Sequence, residues 1–174
     1  DTQTVVRYVH STPYAAYNRF NEVGDSLYGK LYGTVLRSLY SQTTAFPDAF
    51  VANSELVARR IERYWNVHPE DVEVVYPPIP VETYEPREQA DYYFTFSHLR
   101  PEKHIDELVR AFNGLNQRLV IGGDGPERKR LEQLAGDNVT LVGYMDEDEK
   151  RRRLGEAKAL VFNAYSEDFG IVPV

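Results

Sequence analysis

"YYFTFSHLRPEKHIDELVRAFNGL", residues 92–115, changes its period in mid-run. Tyr92 to Ser97 is rich in aromatics and reads as a strand. Ile105, Leu108, Val109, Phe112 and Leu115 then recur at i, i+3, i+4, i+7 and i+10, the spacing of one buried helical stripe. The same succession continues downstream. "RLVIGG" is a strand ending in glycines, "PERKRLEQL" a helix opened by a proline, "VTLVG" a strand, "DEDEKRRRLGEA" a helix, and "ALVFNA" a last strand. Upstream, Thr4 to Val9 is a β-branched run, Ser26 to Ser41 reads as a helix despite Gly29 and Gly33, and Ala49 to Asn53 is a short strand. "SELVARRIERYW" follows as a helix with Ser54 as its cap and Val57, Ile61, Tyr64 and Trp65 on one face, and Val72 to Val75 is again a strand. Strands alternating with helices at this spacing predict an α/β fold of parallel sheets with helices on both faces.

The alternation is broken once. "YPPIPVETYEP" carries four prolines between residues 77 and 86, so the chain is expected to hold parts of two domains, 1–80 and 91–174, joined by a linker at 81–90. Composition limits what these parts can do. The chain has 42% hydrophobic and 27% charged residues, a globular balance, and its net charge of −7 disfavours nonspecific nucleic-acid binding. It has no cysteine, which excludes disulfide scaffolds and thiolate metal sites. No apolar run approaches about 18 residues and no signal-like leader opens the chain, so neither a membrane span nor a signal peptide is expected.

Ligands of parallel α/β sheets bind beyond the carboxyl ends of the strands, so the residues just after each strand carry the chemistry. His98, Arg100, Lys103 and His104 crowd one such turn, at a helix N-terminus where the macrodipole is already positive. An anion placed there collects backbone N–H groups, the dipole and the cations together, as a phosphate or diphosphate requires. The alternative is that Glu102, Asp106 and Glu107 neutralise the turn. "GGDGP", residues 122–126, lacks the Lys-Ser/Thr of a P-loop and the spacing of a dinucleotide fingerprint, and reads first as a tight turn. In "SEDFG", Glu167 and Asp168 at a strand end can accept hydrogen bonds from sugar hydroxyls. No kinase glycine-rich or catalytic loop accompanies Asp168-Phe169-Gly170. His10, also at a strand end, is a candidate acid/base or simply structural. The four histidines show no metal-ligand spacing. The triple arginine at 151–153 is matched by Glu147, Asp148 and Glu149 at i, i+4, which reads as a solvated, paired face.

Taken in order, "FVANSELVARRIERYW", "VEVVYPPI", "FSHLRPEKHIDELVRAF", "RLVIGGDGPERKRLEQLA", "NVTLVGYMDEDEK" and "SEDFGIVPV" resemble the retaining nucleotide-sugar glycosyltransferases of the GT-B fold, and within them the mannosyltransferase-type members of the sucrose-synthase-like family. The resemblance runs from Val5 to Val174. It implies two Rossmann-like domains, of which this chain holds the end of the acceptor-side one and the start of the donor-side one. The family's Glu-x7-Glu places its first glutamate at Glu167 and its second one position past Val174, so an incomplete, central fragment is expected. By the same carry-over Lys103 is the diphosphate lysine, His98 stands where the family has an arginine, and Arg100 is its possible substitute. Gly123, and Gly143 with Tyr144 and Met145, edge the nucleotide. Asp168, Phe169, Gly170 and Ile171 lie near sugar and phosphate, and His10 reaches the cleft from the other domain.

The implied reaction moves a hexose, mannose by motif flavour, from a nucleoside diphosphate sugar such as GDP-mannose to an acceptor hydroxyl with retention. Acceptors are then glycans or lipid-linked sugars in polysaccharide or lipid-linked glycan synthesis, in the cytoplasm or peripherally at the cytoplasmic membrane face. The resemblance implies no metal and no cofactor, the sugar nucleotide being substrate. A noncatalytic nucleotide-sugar-binding module, or an inactive fragment, is the alternative.

Overall fold

The computed structural model describes residues 3–12, 27–45, 47–163, 167–170 and 172, the side chains of 27–30 excepted. The chain divides into two units, Asp1–Pro78 with Asp168–Ile171, and Ile79–Glu167 with Val172–Val174.

The first unit is built from β1 (Val6–Val9), α1 (Leu27–Thr43), β2 (Ala49–Ala52), α2 (Glu55–Trp65) and β3 (Val72–Val74). Its strands lie parallel in the order β1-β2-β3, with Val6 opposite Ala49 and Phe50 opposite Val72. Ser54 starts α2 as the sequence predicts: its Oγ accepts the Val57 N–H at 3.2 Å, supplying one of the partners that a first helical turn lacks. Asn66 ends the helix in the left-handed conformation, which asparagine tolerates better than most residues. Val57, Ala58, Ile61 and Trp65 are buried against Val9, Phe50 and Ala52, while Tyr64 sits at the edge of that core. Each large apolar side chain in it contributes about 1.5–3 kcal/mol by leaving water. On α1 the apolar Leu31, Val35 and Leu39 remain exposed.

The second unit comprises β4 (Tyr93–Phe96), α3 (Ile105–Asn113), β5 (Leu119–Gly122), α4 (Arg128–Leu134), β6 (Val139–Gly143) and α5 (Glu147–Glu156). Its sheet is also parallel, ordered β4-β5-β6, with Leu119 opposite both Tyr93 and Val139. Strand alternation sends β5 to two cores. Leu119 and Ile121 join Ile105, Leu108, Val109 and Phe112 of α3 and Leu131 of α4, whereas Val120 joins Phe94 and Leu154 of α5 on the other face. Helices therefore cover both faces of this sheet, as parallel strands require.

Three expectations are corrected here. Leu115 does not extend the α3 stripe: the helix stops at Asn113, Gly114 caps it, and Leu115 is 51% exposed. Pro126 stands in a turn, and α4 begins only at Arg128. "ALVFNA" forms no strand among its described residues, only a parallel bridge from Leu160 to Phe94. Beyond the bridge the chain leaves the sheet edge, and the Asn163 amide donates to the His104 carbonyl at 3.2 Å. Residues 81–90 lie in the second unit, where the Arg87 and Ala90 N–H groups donate to the Gly155 and Glu156 carbonyls at 3.0 and 2.7 Å.

Candidate functional site

Three loops leave the carboxyl ends of β4, β5 and β6, and main-chain hydrogen bonds lace them together. Ser97 N–H donates to Gly122 O at 3.2 Å, Leu99 N–H to Asp124 O at 2.9 Å, Glu127 N–H to Leu99 O at 3.0 Å, and Gly123 N–H to Gly143 O at 2.7 Å. So close an approach requires glycine. A Cβ at Gly123 would stand 1.9 Å from the Ser97 carbonyl oxygen, and the residue's φ of +110° is itself strained for any other side chain. "GGDGP" is thus a lacing turn. It also borders a cavity.

That cavity has a volume of about 820 Å³ and opens at the strand ends, between Phe96 at the end of β4 with Ser97 and His98 after it, Gly123 to Gly125 after β5, Tyr144 and Met145 after β6, and Phe162, Asn163 and Glu167. Its size and mixed polar and apolar lining suit a ligand of nucleotide dimensions. Lys103 enters it from the turn before α3, and its Nζ lies 3.6 Å from the Glu167 carboxylate. Two residues 64 positions apart in sequence are thereby neighbours, and both are more than one-third exposed to solvent.

The rest of the cationic corner is engaged with its own carboxylates. Arg100 reaches Glu102 at 3.9 Å, the His104 ring reaches Glu107 at 3.7 Å, and Asp106 holds Arg110 and Arg130 at 3.5 and 2.9 Å. The neutralising alternative therefore holds for Arg100 and His104. Lys103 instead faces a carboxylate brought by another segment. His98 lines the cavity with its Nδ1 2.7 Å from the Asp124 carbonyl oxygen. A carbonyl only accepts, so Nδ1 carries a proton and donates it to that oxygen, and Nε2 is the ring nitrogen left for other partners. His98 thus spends one of its two ring nitrogens on the main chain, where an arginine would bring a fork of donors. Asp124 is held ionised: chiefly the Gly125 N–H at 2.7 Å, then Arg128 at 3.1 Å and the nearby His98, lower its pKa below the ordinary aspartate range against some desolvation.

Of the residues singled out from sequence, the cavity gathers His98, Lys103, Gly123, Tyr144, Met145 and Glu167. Gly143 stands behind it, bonded to Gly123. Asp168, Phe169 and Gly170 belong to the first unit. There the Asp168 carboxylate pairs with Arg60, its carbonyl accepts the Ser54 hydroxyl, and Phe169 lies 5.8 Å from the Tyr76 ring. Ile171 lies outside the described residues. His10 follows β1 directly, packs edge-on to Tyr8 at 4.8 Å, and its carbonyl accepts from Asn53 at 3.0 Å.

Lys150 lines the cavity too, its ammonium 5.5 Å above the Phe96 ring, and sequence reasoning missed it. The available signal was its place one turn beyond Asp146, which caps α5 just after β6. The paired face of α5 is in part re-registered. Glu149 and Arg153 meet at 2.8 Å as spaced, but Arg151 turns to Asp148, and Arg152 to Glu149 and Glu156. Among the described residues no three His, Cys, Asp or Glu side chains gather as metal ligands, and no helix is long and apolar enough to cross a membrane.

Known proteins share this fold. HepE of Anabaena, solved with UDP and glucose, superposes with a TM-score of 0.71 at 17% identity, over 98% of this chain and 49% of that one. A TarM mutant of S. aureus, solved with fondaparinux, α-GlcNAc-glycerol and UDP, gives 0.64 at 16% identity, over 91% of this chain and 32% of that one. AviGT4, a glycosyltransferase involved in avilamycin A biosynthesis, gives 0.52 at 19%, over 64% and 34%. The chain spans less than half of each of these proteins, and the likeness establishes the GT-B type of fold. No curated relative matches the chain. The sequence pattern described as Glycosyltransferase Family 4 matches residues 3–83, and that described as Glycosyl transferases group 1 matches 82–174. With more than half its length so matched, the chain belongs to the glycosyl transferases group 1 family.

Proposed function

We propose that this chain is the nucleotide-sugar-handling part of a retaining glycosyltransferase that moves a hexose, mannose by its motif flavour, from a nucleoside diphosphate sugar to an acceptor hydroxyl. The observation that carries this reading is Lys103 and Glu167 facing one another at 3.6 Å in a nucleotide-sized cavity at the carboxyl ends of three parallel strands. One side chain suits a diphosphate and the other suits sugar hydroxyls. The residues that line the cavity after β6, Tyr144 and Met145, then flank the base.

As the bond from sugar to diphosphate breaks, negative charge grows on the leaving phosphate. Lys103 opposes that charge more strongly in the transition state than in the ground state, which is how a fixed cation accelerates such a step. Glu167 holds the hexose by its hydroxyls while positive charge spreads over the ring. His10, Asp168, Phe169, Gly170 and Ile171 enter this reading through the family resemblance alone, as does the role of a glycan or lipid-linked acceptor. A site of action in the cytoplasm or at the cytoplasmic membrane face belongs to the same proposal, as does a reaction that needs no metal.

HepE and TarM were both solved with UDP, so the test sets UDP beside GDP and ADP. Calorimetric titration is expected to select one of the three. The matching sugar nucleotide, incubated with candidate acceptors and followed by NMR, is expected to yield a product that keeps the donor's anomeric configuration. Inverted product, or no binding of any nucleoside diphosphate, contradicts the proposal.

A further inference from the structure

Lys103 and Glu167 are partners of each other before they are partners of any ligand, and this has a consequence for which ligand the cavity prefers. We propose that Glu167 is a specificity-determining residue that lowers the affinity of the cavity for a bare nucleoside diphosphate relative to the nucleoside diphosphate sugar. The inference rests on the reading of the cavity given above.

A diphosphate on Lys103 competes with the Glu167 carboxylate for one ammonium charge, which already serves that carboxylate at 3.6 Å. The other basic groups of the corner have carboxylate neighbours of their own: Arg100 has Glu102 and the His104 ring has Glu107. Lys150, across the cavity, has its own partner in Glu147. His98 donates its Nδ1 proton to the Asp124 carbonyl. The Glu167 carboxylate then stands beside the free terminal phosphate of a bare diphosphate, an extra negative charge that the sugar ester lacks, while the other carboxylate on the cavity wall, Asp124, is matched by Arg128. With a sugar on the diphosphate, Glu167 exchanges its ion pair for hydroxyl donors. With a bare diphosphate it exchanges the pair for repulsion. Glu167 thus acts on the ratio of donor to product affinity, favouring release of the spent nucleotide after the sugar has left.

The experiment compares the wild-type protein with Glu167→Gln and Glu167→Ala by calorimetry, using UDP and GDP against UDP-glucose and GDP-mannose. Removing the carboxylate's charge is expected to tighten nucleoside diphosphate binding roughly two- to five-fold, the range to which the worth of an exposed ion pair converts. Binding of the sugar nucleotide is expected to weaken about tenfold, as the charged acceptor of its hydroxyls is lost. If both ligands weaken together, or neither changes in either variant, Glu167 does not discriminate and the inference falls. Wild-type protein that binds no nucleoside diphosphate overturns the functional reading itself, a different result from a wild type that binds and variants that do not tighten. Thermal melts of both variants identify loss of folding, and the alanine variant keeps the comparison open if the glutamine one is unstable.

Discussion

Lys103 and His98 enter the same cavity on different terms. The lysine is a mobile point charge with a carboxylate partner at 3.6 Å, and the histidine is tied through Nδ1 to a main-chain oxygen at 2.7 Å. If the lysine carries the diphosphate, Lys103→Ala removes the one charge-assisted contact that geometry assigns to it. Affinity for the selected nucleoside diphosphate is then expected to fall roughly ten- to a hundred-fold, at 1.5–3 kcal/mol for a hydrogen bond to a charged group, about the range of its worth. His98→Arg is expected to act in the opposite direction, a few-fold tighter, because it adds a permanently charged fork of donors. Isothermal titration of both variants against wild type measures this. A neutral Lys103→Ala would place the diphosphate elsewhere. That Lys103 stands at a strand-end cavity was legible in sequence through its position after a strand and before a helix. Its pairing with Glu167 was not, since the two lie 64 positions apart and no local pattern links a strand-end loop to a carboxylate so far away.

At the level of elements, the glycines of the β5 loop set the geometry of the cavity. Gly123→Ala would force a Cβ to within 1.9 Å of the Ser97 carbonyl at a φ of +110°, so the laced loops must part. A loss of about 1–3 kcal/mol in stability is expected from the backbone strain, with nucleotide binding weakened beyond what the stability change explains. Denaturant unfolding beside calorimetry distinguishes the two effects, and an alanine variant with wild-type values for both would remove the lacing turn from the account. Elements with strong periodicity were legible. Ser54 capped α2 and the Ile105 to Phe112 stripe was buried, because local propensity and burial agree there. Leu115 failed because a stripe counted by spacing runs past Gly114, which ends the helix. "ALVFNA" failed because an apolar run predicts a strand, while the Asn163 side chain binds the His104 carbonyl and carries the chain off the sheet edge. The ion pairs of α5 shifted register because i, i+3 and i, i+4 partners compete when three acids precede three arginines.

For the whole molecule, two parallel three-stranded sheets, each with strands ordered as in sequence, account for the match of the chain to two glycosyltransferase patterns that meet at residues 82–83. The alternation of strand and helix made this legible at once. Residue roles were harder, since the SEDFG stretch divides between units at Glu167 and Asp168, which no spacing rule could foresee. If the strand ends of the second unit hold a nucleoside diphosphate at Lys103, amide NMR titration with UDP and GDP will reveal it. Saturable shifts of the Ser97 to Leu99, Gly123 to Gly125 and Tyr144 to Met145 amides are expected, and they are expected to be lost in Lys103→Ala. Saturable shifts confined to amides outside those three loops, or shifts unchanged in Lys103→Ala, would contradict it.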